Sequence, residues 1–92
     1  MIDAATRFRK SSRQVSCQID DEIAILDMDK SLYFRLEGVA VEVWGALDQP
    51  SSVAQLRDGI VARFDVTPEA CEADLVALLG QLQAQGLVEI VS

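Results

Sequence analysis

Apolar residues alternate over residues 14–19 and 31–36, on either side of an unbroken apolar run at residues 23–26, and then recur at spacings of three and four over residues 38–85. Strands first and helices after restrict a chain of 92 residues to one α+β domain with one modest core. Val15, Cys17 and Ile19 alternate with Gln14, Ser16 and Gln18, which predicts a half-buried strand with the apolar trio facing inward. Asp20-Asp21 supplies a turn. Residues 22–28 follow as a central strand, because Ile23, Ala24, Ile25 and Leu26 form an unbroken apolar run. A second tight turn at residues 27–30 leads into residues 31–36, where Leu32, Phe34 and Leu36 share one face against Tyr33 and Arg35. The result is a three-stranded antiparallel meander whose outer strands are edges with unpaired N–H and C=O groups.

Three helices are predicted after it. Ala40, Val43, Trp44 and Leu47 mark the buried stripe of the first, over residues 38–47, with Trp44 as core anchor. Ser52 and Gln55 have the spacing of a capping box and open the second, whose inner face is Val53, Leu56, Ile60 and Phe64. Thr67 caps the third, Pro68 fills its first position, and Gly86 ends it before an extended tail over residues 87–91. Residues 1–13 lack a clear apolar period and hold Arg7, Arg9, Lys10 and Arg13; they read as a flexible lead-in to a domain over residues 14–91.

Helices following a small sheet suggest a winged helix-turn-helix-like nucleic-acid reader, whose last helix needs cations for phosphates and bases. No Lys or Arg follows Arg63, and the last helix offers Glu69, Glu72 and Asp74. Eight basic against fifteen acidic residues give a net charge of −7, which opposes nucleic acid and anionic membranes alike. The chain has no histidine, no Cys-x-x-Cys and no glycine-rich phosphate loop, so neither a metal site, a cofactor nor enzymatic activity is expected. Cys17 and Cys71 read as reduced core residues. The absence of a long apolar run or a signal-like N-terminus gives a cytoplasmic expectation.

Laid out at about 100° per residue, the last helix puts Cys71, Leu75, Leu78, Leu79 and Leu82 in one sector. Ala70, Ala73, Ala77, Gly80 and Ala84 line up opposite, flanked by Asp74 and Gln81. An open strand edge allows an extended peptide to add as a further strand, and the smooth, acid-flanked helix face reads either as the second wall of such a groove or as alanines that favour the helix at exposed sites.

The segment Leu32-Tyr33-Phe34-Arg35-Leu36 before Gly38 and Val43-Trp44 resembles the PqqD-like peptide-recognition domains of peptide natural-product biosynthesis. Ser52-Val53-Ala54-Gln55-Leu56, Arg63-Phe64-Asp65-Val66, the stretch from Asp74-Leu75 to Leu82, and Gln85-Gly86-Leu87 extend the likeness over residues 14–91. The resemblance implies a winged-helix-like fold, a three-stranded sheet followed by three helices, that binds the leader of a ribosomal precursor as an added strand. It points to Ser31, Leu32, Tyr33, Phe34 and Arg35 on the third strand, and to Ala70, Asp74, Ala77, Leu78 and Gln81 on the third helix. Glu37 departs from the family, which often has Asn or a similar helix cap there. A freestanding domain of this kind is most similar to the version in lasso-peptide clusters, which presents the leader to a separate cysteine-protease-type peptidase and a cyclase. Two alternatives stand beside it: a peptide chaperone of pyrroloquinoline quinone biosynthesis, and a winged-helix DNA-binding regulator using the basic N-terminal segment.

Overall fold

The computed structural model describes residues 2–29 and 31–91. The elements run β1 (Arg7–Lys10), β2 (Gln14–Ile19), β3 (Glu22–Asp27), β4 (Leu32–Leu36), α1 (Val39–Ala46), β5 (Ser51–Ser52), α2 (Val53–Arg63), α3 (Pro68–Ala84) and β6 (Val88–Val91). The expected antiparallel meander is present as β2-β3-β4, with the three helices after it. A second sheet, absent from the sequence reading, has the order β5-β1-β6.

Local chemistry accounts for the helix starts. The Ser52 side chain accepts from Gln55 N at 3.1 Å while Gln55 Oε1 accepts from Ser52 N at 2.8 Å, completing the capping box. Thr67 Oγ1 accepts from Ala70 N, and Pro68 occupies the first turn of α3. Helix α1 begins differently: its N-cap is Gly38, without a side-chain cap, at φ 63° and ψ −135°. That backbone conformation is the reason for glycine here, and it explains how Glu37 can stand in place of a capping side chain.

Between the helices and the inner face of the meander lies a core of Ile23, Ile25, Leu36, Val43, Trp44, Leu47, Leu56, Leu75 and Leu79, among others, with Trp44 fully enclosed as expected. Three sequence expectations are corrected by the packing. Strand β2 is turned the other way: Val15, Cys17 and Ile19 are exposed, and Ser16 faces the core. The cause is the Trp44 indole, whose buried Nε1 needs a polar partner and donates to Ser16 Oγ at 3.2 Å. Cys17 is therefore a surface thiol, while Cys71 is buried as predicted.

The expected flexible lead-in over residues 1–13 is not a loose tail over its described residues, 2–13. Arg7, Phe8, Arg9 and Lys10 pair with Val91, Ile90, Glu89 and Val88, and Phe8 is fully buried in the core. Three of its four cations have partners: Arg9 binds Glu89 at 2.8 Å, Arg13 binds Asp29 at 3.2 Å, and Lys10 binds Asp48 while lying 4.8 Å above the Trp44 ring. The third correction is Phe64. It terminates α2 in an extended conformation, φ −124° and ψ 151°, so its ring leaves the inner face and is 38% exposed. No helix among the described residues is long and apolar enough to cross a membrane.

Candidate functional site

Strand β4 is an edge. It pairs with β3 from Asp27↔Leu32 to Ile23↔Leu36, and no strand among the described residues covers its other side. The hairpin before it is closed by Ser31 N donating to Asp27 O at 2.9 Å, with Ser31 at φ 56°, while Asp27 Oδ1 accepts from Asp29 N at 2.9 Å. Tyr33 points to the outer face and is exposed, Arg35 beside it binds Glu22, and Phe34 is half-buried against the core. Leu32 pairs through its backbone; its side chain lies outside what the structure describes.

Beyond Leu36 the chain passes Gly38 into α1, and there the surface becomes concave. A cavity of about 530 Å³ opens between α1, the turn after α2 and one flank of α3. Val39, Ala40, Phe64, Val66, Leu75 and Leu78 supply its apolar walls, and Asp65 and Asp74 its carboxylates; among the described residues no Lys or Arg lines it. Such a site accepts an apolar side chain and favours a cation beside it. Cys71 is also in the wall, where burial pushes its thiol up and Asp74 adds to the shift, against an opposing Arg57, so the thiolate form is disfavoured.

Of the residues expected on α3, Asp74 and Leu78 line this cavity. Ala70, Ala77 and Gln81 are exposed on the same helix without forming its walls, and none of Ser31, Tyr33, Phe34 or Arg35 lines it either. Edge strand and cavity are thus successive surfaces joined through Val39, which follows Leu36 by three residues. The stripe opposite the leucines is not a groove wall along its length, because at Gly80 the chain's own Ile2 is in the way: an added Cβ would meet Ile2 Cδ1 at 3.8 Å. Sequence reasoning missed Val39, Ala40, Phe64 and Val66. Phe64 was read as an inner-face residue of the second helix, and the Asp65-Val66 turn directly after it was the signal that the backbone leaves the helix there.

The family model of coenzyme PQQ synthesis protein D (PqqD) matches residues 22–88, a span that contains the edge strand, the cavity and all three helices. The chain belongs to the PqqD family. No curated protein matches it. Among solved structures, this PqqD-family chain is similar to TbiB1 in complex with the TbiA(beta) leader peptide, at 30% identity and a TM-score of 0.85, covering 91% of this chain and 98% of that one. It is also similar to lasso peptide synthetase B1 complexed with the leader peptide, at 25% identity and a TM-score of 0.76, covering 89% and 96%. Both likenesses extend beyond the span matched by the family model and take in most of the chain.

Proposed function

We propose that this PqqD-family chain binds the leader of a ribosomally made precursor peptide and presents it to separate enzymes, a leader peptidase of cysteine-protease type and a cyclase, in lasso-peptide maturation. The observation that carries this reading is the match to 98% of a chain solved with a leader peptide on it, combined with an unpaired β4 edge here. The leader adds as a further strand along residues 31–35, at about 0.5–1.5 kcal/mol per main-chain bond. Beyond the strand it places an apolar side chain against Leu78 and Phe64, with Asp74 and Asp65 meeting a cation next to it. In this reading the chain binds the leader, and the separate enzymes do the cutting and closing.

The DNA-binding alternative is weakened by the ion pairs of the N-terminal segment, where Arg9, Lys10 and Arg13 already face carboxylates. The quinone-pathway alternative shares the family model, and precursor titration separates it: a labelled lasso leader binds under the present reading and does not under that one. In the same titration Leu78→Glu and Asp74→Arg should each weaken binding at least about tenfold, close to 1.4 kcal/mol. Folded variants that bind as the wild type does would show that the cavity is not part of the leader site.

A further inference from the structure

Beside the leader cavity lies a smaller concavity of about 130 Å³, between α1 and α2. Val43, Ala46, Leu56, Ile60 and Phe64 give it an apolar lining, with Gly59 among them. Val43, Ile60 and Phe64 also line the larger cavity, so one wall serves both. The polar groups of the smaller one are already matched. Glu42 Oε2 accepts from Arg63 Nη1 at 2.8 Å across the two helices, and Gln55 Oε1 accepts from Ser52 N in the capping box. What remains for an occupant is apolar contact without a net charge beside it, unlike the larger cavity with Asp65 and Asp74. Gly59 adds an independent observation. Glycine weakens a helix interior relative to alanine. Yet Gly59 sits inside α2 with helical backbone, and a Cβ there would meet nothing within 4 Å, so neither conformation nor packing in the chain itself asks for it. Open space over a glycine in the lining of a concavity lets another chain approach the backbone closely.

We infer that this concavity is a second anchor site for the leader, taking a neutral aliphatic side chain of Val, Leu or Ile type, and that Gly59 is the specificity-determining position that keeps it open. This role rests on the leader-binding reading and extends the path of the same peptide. From the β4 edge the leader enters the larger cavity beside Val39 and passes over Phe64 toward Ala46, at the far end of α1. From Val39 to Ala46 is roughly 10 Å along the helix axis at about 1.5 Å per residue. An extended peptide covers that distance in about three residues. The second anchor therefore lies about three residues from the first, on the side away from the added strand.

The test titrates labelled leader against the full chain. Gly59→Met fills the concavity and should weaken binding at least about tenfold, and Gly59→Ala should weaken it about threefold while leaving the fold at least as stable. Gly45, in α1, is just as unobstructed but lines neither concavity, so Gly45→Ala should bind within about twofold of wild type. A leader with the second anchor changed to Ala should lose affinity for wild type and lose little more on Gly59→Met, because the two changes remove one contact. In the unsubstituted complex, nuclear Overhauser contacts should join the leader to the methyls of Ala46 and Leu56, which line the smaller concavity alone. Wild-type affinity in both Gly59 variants, additive losses, or no contact at Ala46 and Leu56 overturns the second anchor and leaves the edge and larger cavity as they stand. Equal losses in Gly45→Ala and Gly59→Ala overturn it too, since helix stiffness and not the concavity is then being read. If Gly59→Met does not fold, the Gly59→Ala titration and the methyl contacts decide. Wild type that binds no leader at all sinks the proposed function, and the second anchor with it.

Discussion

The indole nitrogen of Trp44 donates to the hydroxyl of Ser16 across 3.2 Å, and this bond sets which side of β2 meets the core. Ser16→Ala leaves a buried N–H without its partner and should cost about 1–3 kcal/mol in urea unfolding. Val15→Thr, one residue away on the outer face, should stay within about 0.5 kcal/mol of wild type. Equal effects would mean that the two faces have been exchanged.

Phe8 is fully enclosed although it lies in a segment with little apolar pattern. Phe8→Ala should destabilise by about 3–5 kcal/mol, enough to unfold much of a population of ordinary stability. Circular dichroism against temperature checks this; a loss below about 1 kcal/mol would return residues 1–13 to the status of a tail.

Two glycines with open space around them should respond in opposite directions. Gly38, at φ 63°, has nothing within 4 Å of an added Cβ, so Gly38→Ala tests the backbone alone and should cost about 1–3 kcal/mol. Gly59, inside α2 and equally unobstructed, should gain about 0.5–1 kcal/mol as Gly59→Ala. Paired denaturant melts decide both.

Leader binding should leave a mark on the amides. Hydrogen exchange over residues 33–35 of the β4 edge should slow once saturating leader is added, whereas β1 and β6, already paired with each other, should change little. Protection confined to the helices would rule out strand addition.

Burial holds the Cys71 thiol above its ordinary value, so the fold favours the neutral form. A raised folded-state value contributes stability that is fully present below about pH 8.5, the unfolded value, and is lost as pH rises through the folded one. Cys71→Ala should therefore flatten the alkaline limb of the stability curve measured over about pH 8–10. Cys71 should also react with maleimide far more slowly than exposed Cys17 until the chain is denatured.

What the sequence made legible was local. Thr67, Pro68 and Gly86 bracket α3, and Ser52 with Gln55 opens α2, because capping is chemistry between residues three or four apart. The β3 and β4 assignments were equally secure, since an unbroken apolar run and a clean alternation each admit one arrangement in a meander. Strand β1 was hidden because its partner is distant: Arg9 meets Glu89 eighty positions later, and nothing near Arg9 announces it. Alternation in β2 defined two faces without saying which one a tryptophan N–H would recruit. Of the cavity's lining, spacing placed Asp74 at the flank of the alanine stripe and Leu78 in the core stripe, and only the family resemblance pointed to Leu78 as a binding residue. The cavity's other walls come from α1 and from the turn after α2, brought together by packing alone.

The pairing of β1 with β6 also sets an order of events in the cell. Arg7 to Lys10 are made early and must wait for Val88 to Val91, almost the whole chain later, before their strand has its neighbour and Phe8 its cover. The meander and first helices can form on the way, but this long-range closure comes last and slowly. During synthesis the unfinished domain exposes a phenylalanine and a bare strand, so the interval before residue 88 emerges is when this chain is most open to aggregation or to holding by a chaperone.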